Sequence, residues 1–442
     1  MVLLARLEPR RLLSDVPLAV ALDNSTLWIS GTSHAEEIRI ARQEERWTVA
    51  SGEWSQTIKA NVSRLIVRAG AGNDRVELDR SVHVPASLFG NSGDDTLIGG
   101  SGPDHLFGHA GDDLLIGADG DDVLISLGGG SQDTLRGGQG ADSFWLDPSA
   151  AEKIADLSPH ERRTGASHRV GAFQRLRGEA IDKQISGTRR RLPDPLSNHP
   201  GGLWGSFGHL PLFGSAGPTM DDVQQGTLGD CYLHAPLASL AEVDPWRIRQ
   251  TIADLGDGTY AVRFHVGDRA RYYRLDADLP VSAQVPATPL YAGLGPSQVL
   301  WVPLIEKAFA FHRSQEQSYP AIGNGGWFDE AFGALGLAST DGVPGQFASG
   351  KALLQAIELE LSLGRAVTVG ILPQTSDGLL VGGHGYSVKR VVRRADGSRM
   401  IELRNPWGID GGKTTIGSPS DGYLTLSATQ LRQHMMAFTS AG

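Results

Sequence analysis

Alternation of apolar and polar residues dominates the first part of the chain. The runs TLWISG, EIRIA, RWTVA and SRLIVRAG, between residues 26 and 80, have a period of two and are rich in β-branched and aromatic residues. That pattern predicts short strands. From about residue 69 a longer period takes over. Gly93, Gly102, Gly111 and Gly120 are nine residues apart, and so are Asp95, Asp104, Asp113 and Asp122. After an irregular turn at SLGGGSQD, Asp133 and Asp142 restore the step. Two residues beyond each aspartate comes an apolar side chain: Leu97, Leu106, Leu115, Leu124, Leu135 or Phe144. A glycine-rich half that turns tightly and an Asp-x-apolar half that forms a short strand predict a parallel β-roll with those side chains inside.

Residues 148–200 lose both periods. They are polar and basic, with Arg162, Arg163, Arg169, Arg175, Arg177, Lys183 and the triplet Arg189-Arg190-Arg191 ahead of LPDPLSNHPGG. This composition predicts a linker, possessing the exposure expected of an activation or self-cleavage region. Helical spacing then appears in APLASLAEV and VPLIEKAFAFHR, and strand patterns in TYAVRFHV, RYYRLDADLPV, AVTVGIL, GYSVKRVVR and MIELRNPW. Helices come early and strands late, which predicts a segregated α+β domain. The expected organisation is a targeting-like segment at 1–25, a β-rich region at 26–147 with the roll at about 69–147, the linker at 148–200, and a globular core at 201–442.

Charge sharpens this division. The net charge of the 442 residues is −10. Between Ala69 and Asp147 there are 13 Asp and one Glu against three Arg, a local net of −11, so the roll carries the whole imbalance. Clustered Lys and Arg are what phosphate binding requires, so a nucleic-acid partner is disfavoured. No run approaches the roughly 18 apolar residues of a membrane-spanning helix. The single cysteine, Cys231, rules out an intramolecular disulfide.

The stacked carboxylates point to a cation. Asp95, Asp104, Asp113, Asp122, Asp133 and Asp142 would stack along one edge beside turn carbonyls, and an oxygen-only ligand set suits Ca²⁺. The blocks GNSGDDTLI, GGSGPDHLF, GHAGDDLLI, GADGDDVLI and GGQGADSFW resemble the RTX family of calcium-binding repeats. Ala110, Ala118 and Ser126 depart from its glycines. The resemblance implies calcium-coupled folding where calcium is abundant, hence a secreted or cell-surface protein. The element LEPRRLLS near the start is similar to one found on some secreted and surface bacterial proteins.

Cys231 follows Gly229-Asp230 and opens an apolar run, which predicts a thiol at the start of a helix. There the helix dipole favours the thiolate. Far downstream stand His384, in GGHGYSVKR, and Asn405, in ELRNPWG; the separations are 153 and 21 residues. Such a Cys…His…Asn order is that of papain-type proteases. QGTLGDC, GHGYSV and RNPWG together resemble the calpain family of cysteine proteases. So do PLFGSAGPTMDDVQQGTLGDC, YYRLDADLPV, LWVPLIEKAFA, GGWFDEAF and DGYLTLSATQLRQHMMAF, in that order, over about residues 205–440. The resemblance implies a papain-like two-lobed core in which Cys231 is nucleophile, His384 general base and Asn405 its orienter. It also implies that Gln225 serves the oxyanion hole and that Trp407 shields the His384–Asn405 bond. Tyr232, His234, Pro236 and Gly385 depart from the family pattern without removing a catalytic atom, and no calcium site inside the core is assigned.

The reading is therefore a multidomain protein: an N-terminal all-β calcium-binding parallel β-roll followed by an α+β papain-like core that hydrolyses peptide bonds in a protein or peptide substrate. The main alternative is a calcium-binding surface or adhesion protein whose calpain-like domain is inactive. A further alternative uses the same triad for acyl transfer to an amine.

Overall fold

The computed structural model describes residues 18–129, 132–176, 192–197, 203–283, 287–375, 378–411 and 420–442. The chain divides into two compact units, the first ending at Gly171 and the second holding almost all that follows.

In the first unit, from the strand Arg64–Ala71 onward, successive strands alternate between two eight-stranded sheets. His105–Ala110 pairs in parallel with Ala86–Ser92 on one side and with Val123–Ile125 on the other. Leu114–Asp119 does the same between Thr96–Ile98 and Thr134–Gln139 in the second sheet. Two nonapeptides thus complete one coil. Leu97, Leu106, Leu115, Leu124, Leu135 and Phe144 have no exposed surface, and they form the interior seam between the sheets. Turns close so tightly that a Cβ on Gly111 (φ 137°) would lie 2.0 Å from the Gly93 carbonyl oxygen.

The coil is longer than the repeats alone. Thr26–Ser30 pairs in parallel with Arg64–Ala71, and Glu37–Gln43 with Arg75–Leu78, so the early alternating runs are earlier turns of the same roll. Antiparallel hairpins finish this end, Ala19–Asp23 on one sheet and Arg46–Ser51 with Trp54–Lys59 on the other. Residues 1–17 of the targeting-like segment lie outside the described residues. At the other end, Lys153–Ile154 and Ser167–Arg169 each add a strand to one sheet. Between them is the short helix Pro159–Thr164, held by a Ser158–Glu161 capping box. Residues 148–171 are therefore roll, where a linker was expected. Fully buried Ala166, with Ile154 and Leu157 against the seam, supplies the apolar contacts that make them so. The Arg189-Arg190-Arg191 triplet lies outside the described residues.

The second unit has two cores. One packs the helices Cys231–Val243 and Trp301–Arg313 against a three-stranded sheet, Ile252–Asp254, Thr259–Val266 and Arg269–Asp276. The other fills the space between the helix Gly350–Ser362 and a six-stranded antiparallel sheet that includes Ala366–Ile371, Gly385–Arg393 and Arg399–Arg404. The Cys231 helix joins them. Its Ser239 hydroxyl donates to the Val367 carbonyl (2.9 Å) and accepts from the Val367 N–H (2.8 Å), while the Ser387 hydroxyl donates to the Ala235 carbonyl (2.8 Å).

One repeat position is strained. Ala118 stands where the repeat favours glycine and has φ 80°, a region that costs a residue with a Cβ about 1–2 kcal/mol. Ala118→Gly is expected to stabilise the roll by about 1 kcal/mol, read as a higher unfolding midpoint in calcium; an unchanged or lower midpoint would show that the turn accommodates the methyl group.

Candidate active site and calcium edges

Cys231 is the first residue of its helix, and Asp230 is the N-cap. The next turn is wholly buried, with Leu233, Ala235 and Leu237 at zero exposure, so the core fixes where the thiol sits. His384 immediately precedes the strand Gly385–Arg393 and Asn405 immediately follows Arg399–Arg404; these strands are hydrogen-bonded neighbours. Sheet pairing brings together two residues 21 apart in sequence. His384 Nε2 lies 2.9 Å from Asn405 Oδ1.

The orientation of Asn405 is determined by its other bonds. Its Nδ2 donates to the Asp410 carbonyl (3.2 Å), and its Oδ1 also accepts the Trp407 N–H (3.1 Å). Oδ1 can therefore only accept, so Nε2 of His384 carries the proton and Nδ1 keeps its lone pair. The indole of Trp407 lies 4.5 Å from the imidazole, centroid to centroid, and the ring of Tyr386 meets it edge-on at 5.1 Å. Gln225 is buried six residues before the thiol. Its Nε2 donates to the Leu228 carbonyl (2.6 Å), and its backbone N–H donates to the Pro406 carbonyl (2.8 Å), next to Asn405. A second tie joins the same segments: Arg404 Nε bonds Asp221 Oδ1 (3.2 Å), which also accepts the Tyr423 hydroxyl (2.6 Å).

The electrostatics differ from the helix-start expectation. Burial pushes the Cys231 thiol above its ordinary value; the backbone N–H of Gly385 opposes this, and the Asp230 carboxylate adds to it. Burial also pushes the His384 imidazole down, against the opposing effect of Asn405. Both shifts have desolvation as their largest cause, and both favour the uncharged form of the group.

The calpain family cysteine protease profile matches residues 206–434. That is more than half of the chain. The chain belongs to the calpain family of cysteine proteases. A second profile, the RTX calcium-binding nonapeptide repeat in four copies, matches residues 89–124 and 127–147. The calpain-type cysteine protease DEK1 of Arabidopsis thaliana is 32% identical over 203 residues, 44% of this chain and 9% of that protein. Calpain-12 of Mus musculus is 32% identical over 203 residues, 42% of this chain and 26% of its own length. The calpain-2 catalytic subunit of Gallus gallus is 30% identical over 214 residues, 45% of this chain and 29% of its own. This calpain-family chain thus spans less than a third of each of these relatives.

In the roll of this calpain-family chain the six repeat aspartates are buried along two edges, where a single edge was expected, because alternate nonapeptides face opposite ways. On one edge the N–H groups of Asp74, Asp95 and Asp113 donate to Oδ1 of Asp95, Asp113 and Asp133 (2.7–2.8 Å). On the other, the N–H groups of Ala86, Asp104 and Asp122 donate to Oδ1 of Asp104, Asp122 and Asp142 (2.8–2.9 Å), and Glu161 accepts the Asp142 N–H (3.1 Å). Asp74 and Glu161 extend the ladders beyond the predicted set. Asp74-Arg75-Val76 repeats the Asp-x-apolar triplet and was legible; Glu161 sits outside any repeat and was not.

The ladders use one oxygen of each carboxylate. Oδ2 of Asp95, Asp113 and Asp122 is buried without a hydrogen-bond partner. A Cβ on Gly90 would meet Asp95 Oδ2 at 2.3 Å and the Gly108 carbonyl oxygen at 2.8 Å; one on Gly117 would meet Asp122 Oδ2 at 2.2 Å and the Gly137 oxygen at 2.6 Å. Carboxylate and carbonyl oxygens converge on small cradles with no nitrogen or sulfur, which fits Ca²⁺.

Two predictions follow from these charges. Alkylation of Cys231 by iodoacetamide should accelerate steadily from about pH 7 to about pH 9; a rate already at its plateau near pH 6 would reveal a preformed thiolate–imidazolium pair. In the roll, burial raises Asp95, Asp104 and Asp113 to about 7. The folded state then holds protons that the unfolded chain has released, so without calcium stability falls as pH rises from about 4 to about 7. Calcium would bind the carboxylate form, so saturating calcium is expected to abolish that fall. Unfolding midpoints measured across this window with chelator and with saturating calcium test the sign; a calcium-free midpoint that rises with pH contradicts it.

Proposed function

We propose that this chain is a calcium-associated cysteine endopeptidase acting through Cys231, His384 and Asn405. The reading rests chiefly on the 2.9 Å bond between His384 and an Asn405 whose own orientation is set by Asp410 and Trp407. That bond leaves Nδ1 as the free base of the ring. Cys231 Sγ attacks the scissile carbonyl carbon while its proton passes to Nδ1. The C–N bond breaks as the imidazolium returns the proton to the leaving amine, and water deprotonated by the same nitrogen then cleaves the thioester. The Cys231 N–H and the Gln225 Nε2 hydrogen not engaged by Leu228 hold the oxyanion. Trp407 covers the His384–Asn405 bond.

In the roll, Asp95, Asp113 and Asp133 on one edge and Asp104, Asp122 and Asp142 on the other would hold Ca²⁺ together with turn carbonyls. The ion supplies charge neutralisation and folding free energy. Extracellular modules of this kind bind calcium at ~10⁻⁴ to 10⁻³ M, so we read the protein as secreted or cell-surface. No helix among the described residues is long and apolar enough to cross a membrane.

Hydrolysis of an unstructured test protein by the full-length chain in calcium tests the reading. Cys231→Ala should abolish peptide release, and Gln225→Ala should lower kcat by about 10²–10³ with little change in KM. No release, together with no labelling of Cys231 by a thiol-directed epoxide, would indicate an inactive adhesion module. Incorporation of an added amine without release would indicate an acyltransferase.

A further inference from the structure

His234 belongs to the Cys231 helix, one turn beyond Asp230, and neither the triad nor the cleft uses it. Asp230 and His234 have no exposed surface, and Glu306, on the helix Trp301–Arg313, has 1%. Their ligand atoms lie within 4.8 Å of one another. Two carboxylates packed together in an apolar core need a shared proton or a compensating positive charge. Among the described residues no Lys or Arg supplies it. Lys307, next to Glu306, turns away to Asp194 (2.6 Å) and Asp276 (2.7 Å).

The backbone holds each side chain by one atom and leaves the others free. His234 Nδ1 lies 3.3 Å from the Asp230 carbonyl, an acceptor, so Nδ1 carries the proton and Nε2 keeps its lone pair. Glu306 Oε2 accepts the Ala292 N–H (2.9 Å). The remaining atoms, His234 Nε2, Glu306 Oε1 and both oxygens of Asp230, are buried and receive no N–H or O–H from another described group; a proton shared between Asp230 and Glu306 is the alternative to an ion there. Asp230 Oδ1 lies 3.3 Å from His234 Nδ1 without hydrogen-bond geometry, and Nε2 lies 3.9 Å from Glu306 Oε1. Ligands about 2.0–2.1 Å from a tetrahedral ion are roughly 3.4 Å apart, so Nε2 and Glu306 Oε1 are near that spacing, while Asp230 would turn its carboxylate from the Nδ1 side toward Nε2.

We propose that Asp230, His234 and Glu306 form a structural site for one Zn²⁺ ion beneath the Cys231 helix. Imidazole nitrogen with carboxylate oxygens is a zinc-type donor set, whereas Ca²⁺ takes oxygen alone. His234 Nε2, Glu306 Oε1 and a bidentate Asp230 supply four donors. A backbone carbonyl on Nδ1 is the usual outer partner that orients a ligating imidazole. The two carboxylates and the dication sum to zero charge. With no exposed surface, the site takes up its ion as the chain folds, and the ion pins Asp230 and the start of the nucleophile helix to the helix Trp301–Arg313. It also cancels the negative charge of Asp230 beside the thiol.

The test is metal content, so it does not depend on peptidase activity. Full-length protein purified without a histidine tag, and kept in millimolar calcium to fill the roll, is analysed by elemental mass spectrometry. One zinc per chain is expected in the wild type and in Cys231→Ala. His234→Leu and Glu306→Gln should each lose it, with affinity weakened more than about 100-fold. Wild type refolded with zinc should unfold at a higher temperature than wild type refolded in its absence. Cobalt refolded into the wild type should show the visible bands of a tetrahedral site, which decides the matter even where a variant does not fold. The proposal is overturned if the wild type refolded with zinc neither retains it nor gains stability. It is equally overturned if Cys231→Ala loses the ion, or if both His234→Leu and Glu306→Gln keep it.

Discussion

A carboxylate taken out of water needs a proton, a cation or a hydrogen-bond donor, and both units of this protein are organised around that need. In the roll, every repeat aspartate gives one oxygen to a backbone N–H from the preceding coil. The ladder thereby sets the distance between coils and leaves second oxygens facing turn carbonyls. In the core, Asp230 and Glu306 meet under the nucleophile helix with only His234 between them. The cations proposed above would resolve both arrangements, and the ligand chemistry separates them: oxygen alone in the roll, nitrogen and oxygen in the core.

The candidate active site depends on the same economy of backbone partners. Asp410 and Trp407 decide which way Asn405 faces, Asn405 decides which nitrogen of His384 is protonated, and that leaves one nitrogen to act as base. The first and second lobes meet at this point through the Gln225 N–H on the Pro406 carbonyl and through Asp221 on Arg404. Burial around the thiol and the imidazole favours the uncharged form of each. In the proposed reaction the proton would move during attack, and the rings of Trp407 and Tyr386 pack against the imidazole that Asn405 holds.

Much of this was legible because it is local or periodic. A nine-residue step with an Asp-x-apolar triplet specifies a coil whose interior side chain recurs, and Leu97 through Phe144 are all inside. Cys231, Gln225, His384 and Asn405 could be singled out because each sits in a short word of sequence. Less could be read where contacts, not periods, decide the structure. Residues 148–171 look like linker, yet Ile154, Leu157 and Ala166 find the end of the seam and continue the roll. Asp221, Arg404 and Tyr423 each lie in a recognisable segment, yet nothing in those segments says that the three side chains meet, because ion pairs between distant segments leave no local pattern.

By itself, the sequence determined the coil period, the oxygen-rich character of the roll and the identity of the residues carrying the candidate chemistry, since repeats and motif words encode local backbone geometry. Only the tertiary structure decided that the aspartates divide between two edges. It also decided that burial raises the thiol above its ordinary value, and that His234 sits between two buried carboxylates. Those outcomes depend on which distant groups share a low-dielectric interior, and no local pattern records that.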